Sequence, residues 1–165
     1  MIFSLLVSAI FAVPPPGTVT ADEIIDALAR PDGASSGQAQ SNTRSLRNLQ
    51  LQERAIDLNV QFEFDSAKLM PDGRLALQEL AKAMHSMRLK DARFLIEGHT
   101  DAKGSIDYNL GLSTRRADAV RSFLVSQKIE STRLMVLGKG ATELLNKANP
   151  YAGENRRVRI VAREF

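Results

Sequence analysis

The stretch I-E-G-H-T-D-A-K-G-S-I-D-Y-N-L-G-L-S-T-R-R-A-D-A-V-R-S-F-L, residues 96–124, holds a strand end, a turn-rich loop and a long helix in one run. Phe94-Leu95-Ile96 is apolar and short, as in a buried strand. Gly98 to Gly104 supplies the turn residues, and Ser105 is suited to cap the helix that follows, from about Ile106 to Gln127. On a helical wheel Arg116 falls about 40° from Leu112, between Phe123 at about 20° and Val120 at about 80°. Arg115, Asp118 and Arg121 point elsewhere and read as solvated. A cation inside an apolar stripe needs an anion or an opening to water, because an unpaired buried charge costs several kcal/mol. The candidate internal anions are Asp101, just past the strand, and Asp65 and Glu97, which also fall near predicted strand ends.

Working outward, Ile56, Leu58, Val60, Phe62 and Phe64 alternate with polar residues, which predicts a strand over 56–64. Pro71 and Asp72 open a helix carrying Ala76, Leu80, Ala83, Met84 and Met87 at helical spacing. Leu134 to Leu137 reads as a strand stopped by Gly138, a long loop follows, and Arg157 to Ala162 is the last strand. The order β-α-β-α-β-loop-β implies crossovers, hence some parallel pairing. The expected class is α/β in the α+β sense: a four-stranded mixed sheet with helices packed on a face. Four strands are too few for a transmembrane barrel.

The N-terminal third reads differently. Ile2 to Val13 is apolar or small throughout and is followed by Pro14-Pro15-Pro16-Gly17. Twelve residues do not span a bilayer, so 1–17 is expected to be a secretory signal, although no Lys or Arg precedes it. Residues 18–54 are read as a short helix plus flexible linker. Thr20 and Glu23 have capping-box spacing, Ile24, Ile25 and Leu28 form a small apolar face, and residues 34–42 lack apolar periodicity. The folded module is expected over 55–165.

Composition narrows the chemistry. The chain of 165 residues has a net charge of +3 with its lysines and arginines scattered, which argues against nucleic acid. Cysteine is absent, so no thiolate metal site, thiol nucleophile or lipid-bearing cysteine exists. His99 and Asp101 form an H-x-D pair, but His85 is the only other histidine, and no metal site is expected. No G-x-S-x-G elbow is present, Ser113 reads as polar-face, and Gly138-Lys139-Gly140 lacks the context of a phosphate loop. No catalytic residue and no cofactor is expected. An acid and a guanidinium in one cleft instead suit a zwitterion, with ammonium on Asp101 and carboxylate on Arg116. The alternative is a structural Arg116–Asp101 ion pair that orders the loop. Asn109 could bond a ligand or a loop carbonyl. Of Arg156 and Arg157, Arg156 shares a strand face with Val158 and Ile160 and is expected to turn towards a cleft at the strand's start, the alternative being two surface arginines.

These residues resemble the OmpA-like C-terminal domain, a family that includes peptidoglycan-associated lipoprotein and the periplasmic part of the flagellar stator protein MotB. The resemblance runs from about Ile56 to Phe165. It rests on F-E-F-D-S-A at 62–67, E-G-H-T-D at 97–101, Y-N at 108–109, L-S-x-x-R-A at 112–117 and N-R-R-V at 155–158. It implies helices on a four-stranded mixed sheet and non-catalytic binding of peptidoglycan through the diaminopimelate of its stem peptide. By resemblance Asp101 meets the ligand ammonium and Arg116 its carboxylate. Asn109 and Arg156 add hydrogen bonds, and Thr100 and Asp65 line the pocket. The implied setting is the periplasm and outer membrane of a Gram-negative-type envelope, with the wall and other envelope proteins as partners. The family's proline after G-x-G is replaced here by Leu144-Leu145-Asn146, which alters the expected loop. An interaction domain without a ligand and a cell-wall hydrolase are the competing classes.

Overall fold

The computed structural model describes residues 19–29, 54–63 and 65–163. The expected signal (1–17), most of the expected linker and Phe64 lie outside the described residues. Three α-helices and four strands follow in the order α1 (Ala21–Leu28), β1 (Ala55–Leu58), α2 (Pro71–His85), β2 (Arg93–His99), α3 (Ile106–Ser126), β3 (Leu134–Gly140) and β4 (Val158–Arg163). The sheet order is β1-β4-β2-β3. β2 and β3 run parallel, joined by α3, while β4 lies antiparallel to both β1 and β2. The expected mixed sheet is what forms. No described helix is long and apolar enough to cross a membrane.

One face of the sheet and the helices share the core. Phe94 and Ile96 of β2, Val158 and Ile160 of β4, Leu77, Leu80 and Met84 of α2, and Val120 and Leu124 of α3 are all almost fully buried. α1, read from sequence as part of a separate segment, adds Ile24 and Leu28 to the same core. Its capping box forms as the Thr20/Glu23 spacing predicts: Glu23 N–H donates to Thr20 Oγ1, and Thr20 N–H donates to Glu23 Oε2 at 2.8 Å. Met87, expected on the apolar face of α2, lies past the helix end and is 77% exposed.

Strand limits need correction. β1 ends at Leu58 rather than Phe64, because β4 begins at Val158, the partner of Leu58, and offers nothing further to pair. The alternation continues as burial, with Val60 inside, and Phe62 makes only an isolated bridge to Leu69. β2 and β3 run through Gly98 and Gly138 instead of stopping before them. These glycines are register partners. A Cβ on Gly98 would stand 2.2 Å from the Ser113 carbonyl oxygen, and one on Gly138 would stand 2.1 Å from Thr114 Oγ1. α3 therefore sits directly on the paired glycine backbones. Ser113 is fully buried there rather than on a polar face: its hydroxyl donates to Leu110 O and accepts from Gly140 N–H, both at 2.9 Å.

Candidate functional site

The close seat of α3 on β2 and β3 brings the N-terminal half of the helix to the carboxyl end of β2. Ser105 caps it, accepting from Tyr108 N–H at 3.2 Å. Between this helix end, the loop after β2, the turn after Phe62 and the start of β4 lies a cleft of about 640 Å³. All six residues singled out from sequence line it: Asp65, Thr100, Asp101, Asn109, Arg116 and Arg156. Phe62, Glu63, Lys103, Gly104, Tyr108 and Leu112 complete the wall.

Arg116 is 9% exposed, as its wheel position requires, while Arg115 and Asp118 are exposed. Arg121, expected to be solvated, is half-buried, and its Nε has no partner among the described residues. Arg116 Nε donates to Ser66 O at 3.0 Å, and its guanidinium carbon stands 5.1 Å from the Phe62 ring centroid. Burial, and next the positive charge of Arg156, push its pKa below the ordinary value. Among the described residues it has no carboxylate within ion-pair distance. The Arg116–Asp101 pair considered from sequence is therefore not the arrangement found. Asp101 instead accepts from Arg156 Nη1 on Oδ2 at 2.8 Å and from Lys103 N–H on Oδ1 at 3.0 Å.

Asn109 serves the loop. It is 3% exposed, and its Nδ2 donates to Lys103 O at 3.1 Å and to Asp101 O at 3.4 Å, so it fixes the turn that carries the carboxylate. Thr100 is buried, its N–H bonded to Gly140 O, and its hydroxyl has no partner among the described residues. Asp65 occupies the left-handed region at φ 51°, where a short polar side chain is tolerated, and Tyr108 OH donates to its Oδ1.

Sequence reasoning missed Tyr108 and Asn155 as organisers. Tyr108 stands in the Y-N motif at 108–109, but nothing in the sequence shows that its hydroxyl reaches Asp65. Asn155 is fully buried: its Nδ2 donates to the carbonyls of Asn146, Asn149 and Pro150, and its Oδ1 accepts from Asn146 N–H. Pro150 O in turn accepts from Ala102 N–H at 3.0 Å, so the long loop buttresses the Asp101 turn.

His99 is 1% exposed and lies beside Glu97 and Arg157. Neither ring nitrogen has a hydrogen-bond partner among the described residues, and Glu97 Oε2 is 3.8 Å from Nε2. Burial, then the Arg157 charge, lower its pKa to about 4, so the ring is neutral near pH 7.

The assembled site is one carboxylate held by a turn and one desolvated guanidinium on a helix. Known proteins resemble the chain that carries it. Outer membrane protein A of Bordetella avium is 37% identical over 101 residues, which is 60% of this chain and 51% of that protein. This chain thus spans about half the length of that relative. The peptidoglycan-associated lipoprotein of Burkholderia pseudomallei superposes with a TM-score of 0.54 at 29% identity, over 63% of this chain and 88% of that one. The periplasmic domain of Helicobacter pylori MotB shares the fold, with a TM-score of 0.57 at 22% identity over 67% of this chain and 75% of the other. The OmpA family profile matches residues 61–158, from the turn before α2 to the first residue of β4, and covers the whole cleft. The chain belongs to the OmpA family.

Proposed function

We propose that this protein binds peptidoglycan without catalysing its breakdown, by gripping the zwitterionic end of the diaminopimelate side chain. Asp101 receives the ammonium and Arg116 the carboxylate. The observation that carries this is Arg116: a buried guanidinium on a rigid helix, lining a cleft, with its Nη groups uncommitted among the described residues. Two parallel charge-assisted hydrogen bonds to a carboxylate satisfy such a group. The Burkholderia relative's name points to the same polymer. Asn109 acts here by holding the Asp101 loop, and Arg156 meets the ligand only as it shares or yields Asp101. The protein would then hold the wall from the periplasmic side of an outer membrane, alone or with other envelope proteins.

Isothermal titration with a diaminopimelate-containing muropeptide tests this. Loss of a bidentate contact worth about 1.5–3 kcal/mol should weaken binding roughly tenfold to a hundredfold in Arg116→Ala. Asp101→Asn should show a comparable loss, as should amidation of the diaminopimelate carboxylate with wild-type protein. Folded variants that bind as tightly as wild type would remove the proposal.

A further inference from the structure

A second pocket, of about 310 Å³, adjoins the cleft. It is lined by Asn59, Val60, Gln61, Phe62, Met70, His99, Arg116, Gly153, Arg156 and Arg157, and it shares Phe62, Arg116 and Arg156 with the cleft. The two differ sharply in charge. The cleft lining has three carboxylates (Glu63, Asp65, Asp101) and three cations (Lys103, Arg116, Arg156), so it is balanced. The second pocket's lining holds three arginines and no carboxylate. It also holds His99, buried with both ring nitrogens unpartnered among the described residues. A neutral imidazole presents one N–H donor there. Asn59 and Gln61, both exposed, supply amides at its mouth. Arg157 is partly neutralised by Asp57 at 2.7 Å and Arg156 by Asp101, whereas Arg116, shared by the two pockets, has no carboxylate within ion-pair distance among the described residues.

We propose that the second pocket is an anion subsite for a further free carboxylate of the ligand whose zwitterionic end fills the cleft. The preferred ligand class is then a peptide with both a zwitterionic amino-acid end and a neighbouring carboxylate, rather than an isolated amino acid. This rests on the zwitterion reading of the cleft. Arg116 and Arg156 form the shared wall and present positive charge to both chambers. His99 reports on the second chamber alone, because it lines that pocket and not the cleft.

The test uses the full chain and three probes: a diaminopimelate tripeptide with all carboxylates free, the same tripeptide amidated everywhere except at its zwitterionic end, and sodium acetate. The chain has two histidines, so His85→Gln assigns the His99 ring resonances in nuclear magnetic resonance spectra. The free tripeptide should bind about tenfold tighter than the amidated one and alone should shift the His99 ring signals at stoichiometric concentration. Gln61→Glu, which places a carboxylate at the pocket mouth, should reduce affinity for the free tripeptide at least fivefold more than for the amidated one. Equal wild-type affinities with an unmoved His99 would overturn the second subsite while leaving the cleft reading intact. Absence of binding by either tripeptide would overturn both. If acetate shifts His99 as fully as the free tripeptide does, and the two tripeptides bind equally, the pocket takes a free anion and the ligand-linked subsite is wrong.

Discussion

Arg116 and Arg157 are buried to nearly the same degree, 9% and 8% exposed, yet they are provided for in opposite ways. Arg157 Nε donates to Asp57 Oδ1 at 2.7 Å, and Nη1 reaches Glu143 O at 3.3 Å; Arg159 stands 3.6 Å from the other Asp57 oxygen. This ties β4 to β1 and to the loop after β3. Arg116 has one carbonyl, from Ser66, and the Phe62 ring. Equal burial with unequal partners sets a charge that serves the fold beside one that, on the proposed function, is kept open for the ligand.

The largest effect should come from breaking the satisfied side. Arg157→Ala leaves Asp57 without its closest cation, and removing one partner of a buried pair costs about 3–5 kcal/mol. Asp57 is one-third exposed, which puts the expected loss near the lower end, about 3 kcal/mol in urea unfolding. A loss under about 1 kcal/mol would erase the distinction between the two arginines.

His99 gives the next effect, through pH. Its folded pKa of about 4 lies below the ordinary 6.5. The unfolded chain therefore takes up this proton as pH falls through 6.5, while the folded chain refuses it until about 4. Stability is complete above 6.5 and declines between 6.5 and 4, by about 3 kcal/mol for this group. Unfolding curves across that window should be steeper in wild type than in His99→Gln. Identical pH dependence would mean that the ring is not held neutral beside Arg157.

Arg116→Met should separate stability from binding. With no carboxylate paired to Arg116 among the described residues, its removal orphans no anion there, and an apolar side chain of similar length suits the stripe. Folding stability should change by less than about 1 kcal/mol, or rise, while muropeptide affinity falls tenfold or more. Destabilisation as large as that of Arg157→Ala would show that Arg116 is structural after all.

Much of this contrast was legible in the chain, for physical reasons. The helical period places Arg116 with Val120 and Phe123 whatever its partners are, and the Thr20/Glu23 box is local. What could not be read depends on elements meeting at long range. Gly98 and Gly138 look like strand stops until α3 is laid across them and a side chain has no room. Ser113 reads as surface until Gly140 N–H arrives to share its hydroxyl. Residues 59–63 look like strand because apolar and polar residues alternate, but β4 supplies no partner beyond Val158. The choice of Asp101 between Arg116 and Arg156 is also invisible in sequence, since chemistry and spacing allow both and only the loop buttressed by Asn155 decides.

That choice supplies the finest test. Arg156 is half-exposed, so its 2.8 Å bridge to Asp101 contributes at most about 1 kcal/mol, and Arg156→Gln should barely move the unfolding midpoint. Its effect on Arg116 should be clearer. While Arg156 holds Oδ2 and the Lys103 N–H holds Oδ1, Asp101 makes no ion pair with Arg116 among the described residues and acts on it only at longer range, and a double-mutant cycle between Arg116 and Asp101 should give a coupling below about 0.5 kcal/mol. In the Arg156→Gln background Oδ2 is released inside a cleft that Arg116 also lines, and the guanidinium can swing to it. The coupling should then rise to about 0.5–1 kcal/mol, creating the ion pair that the wild-type protein avoids. A strong coupling already present in the wild type would mean that Arg116 is satisfied from within. An absent coupling in both backgrounds would mean that the two groups are too far apart to grip one small zwitterion.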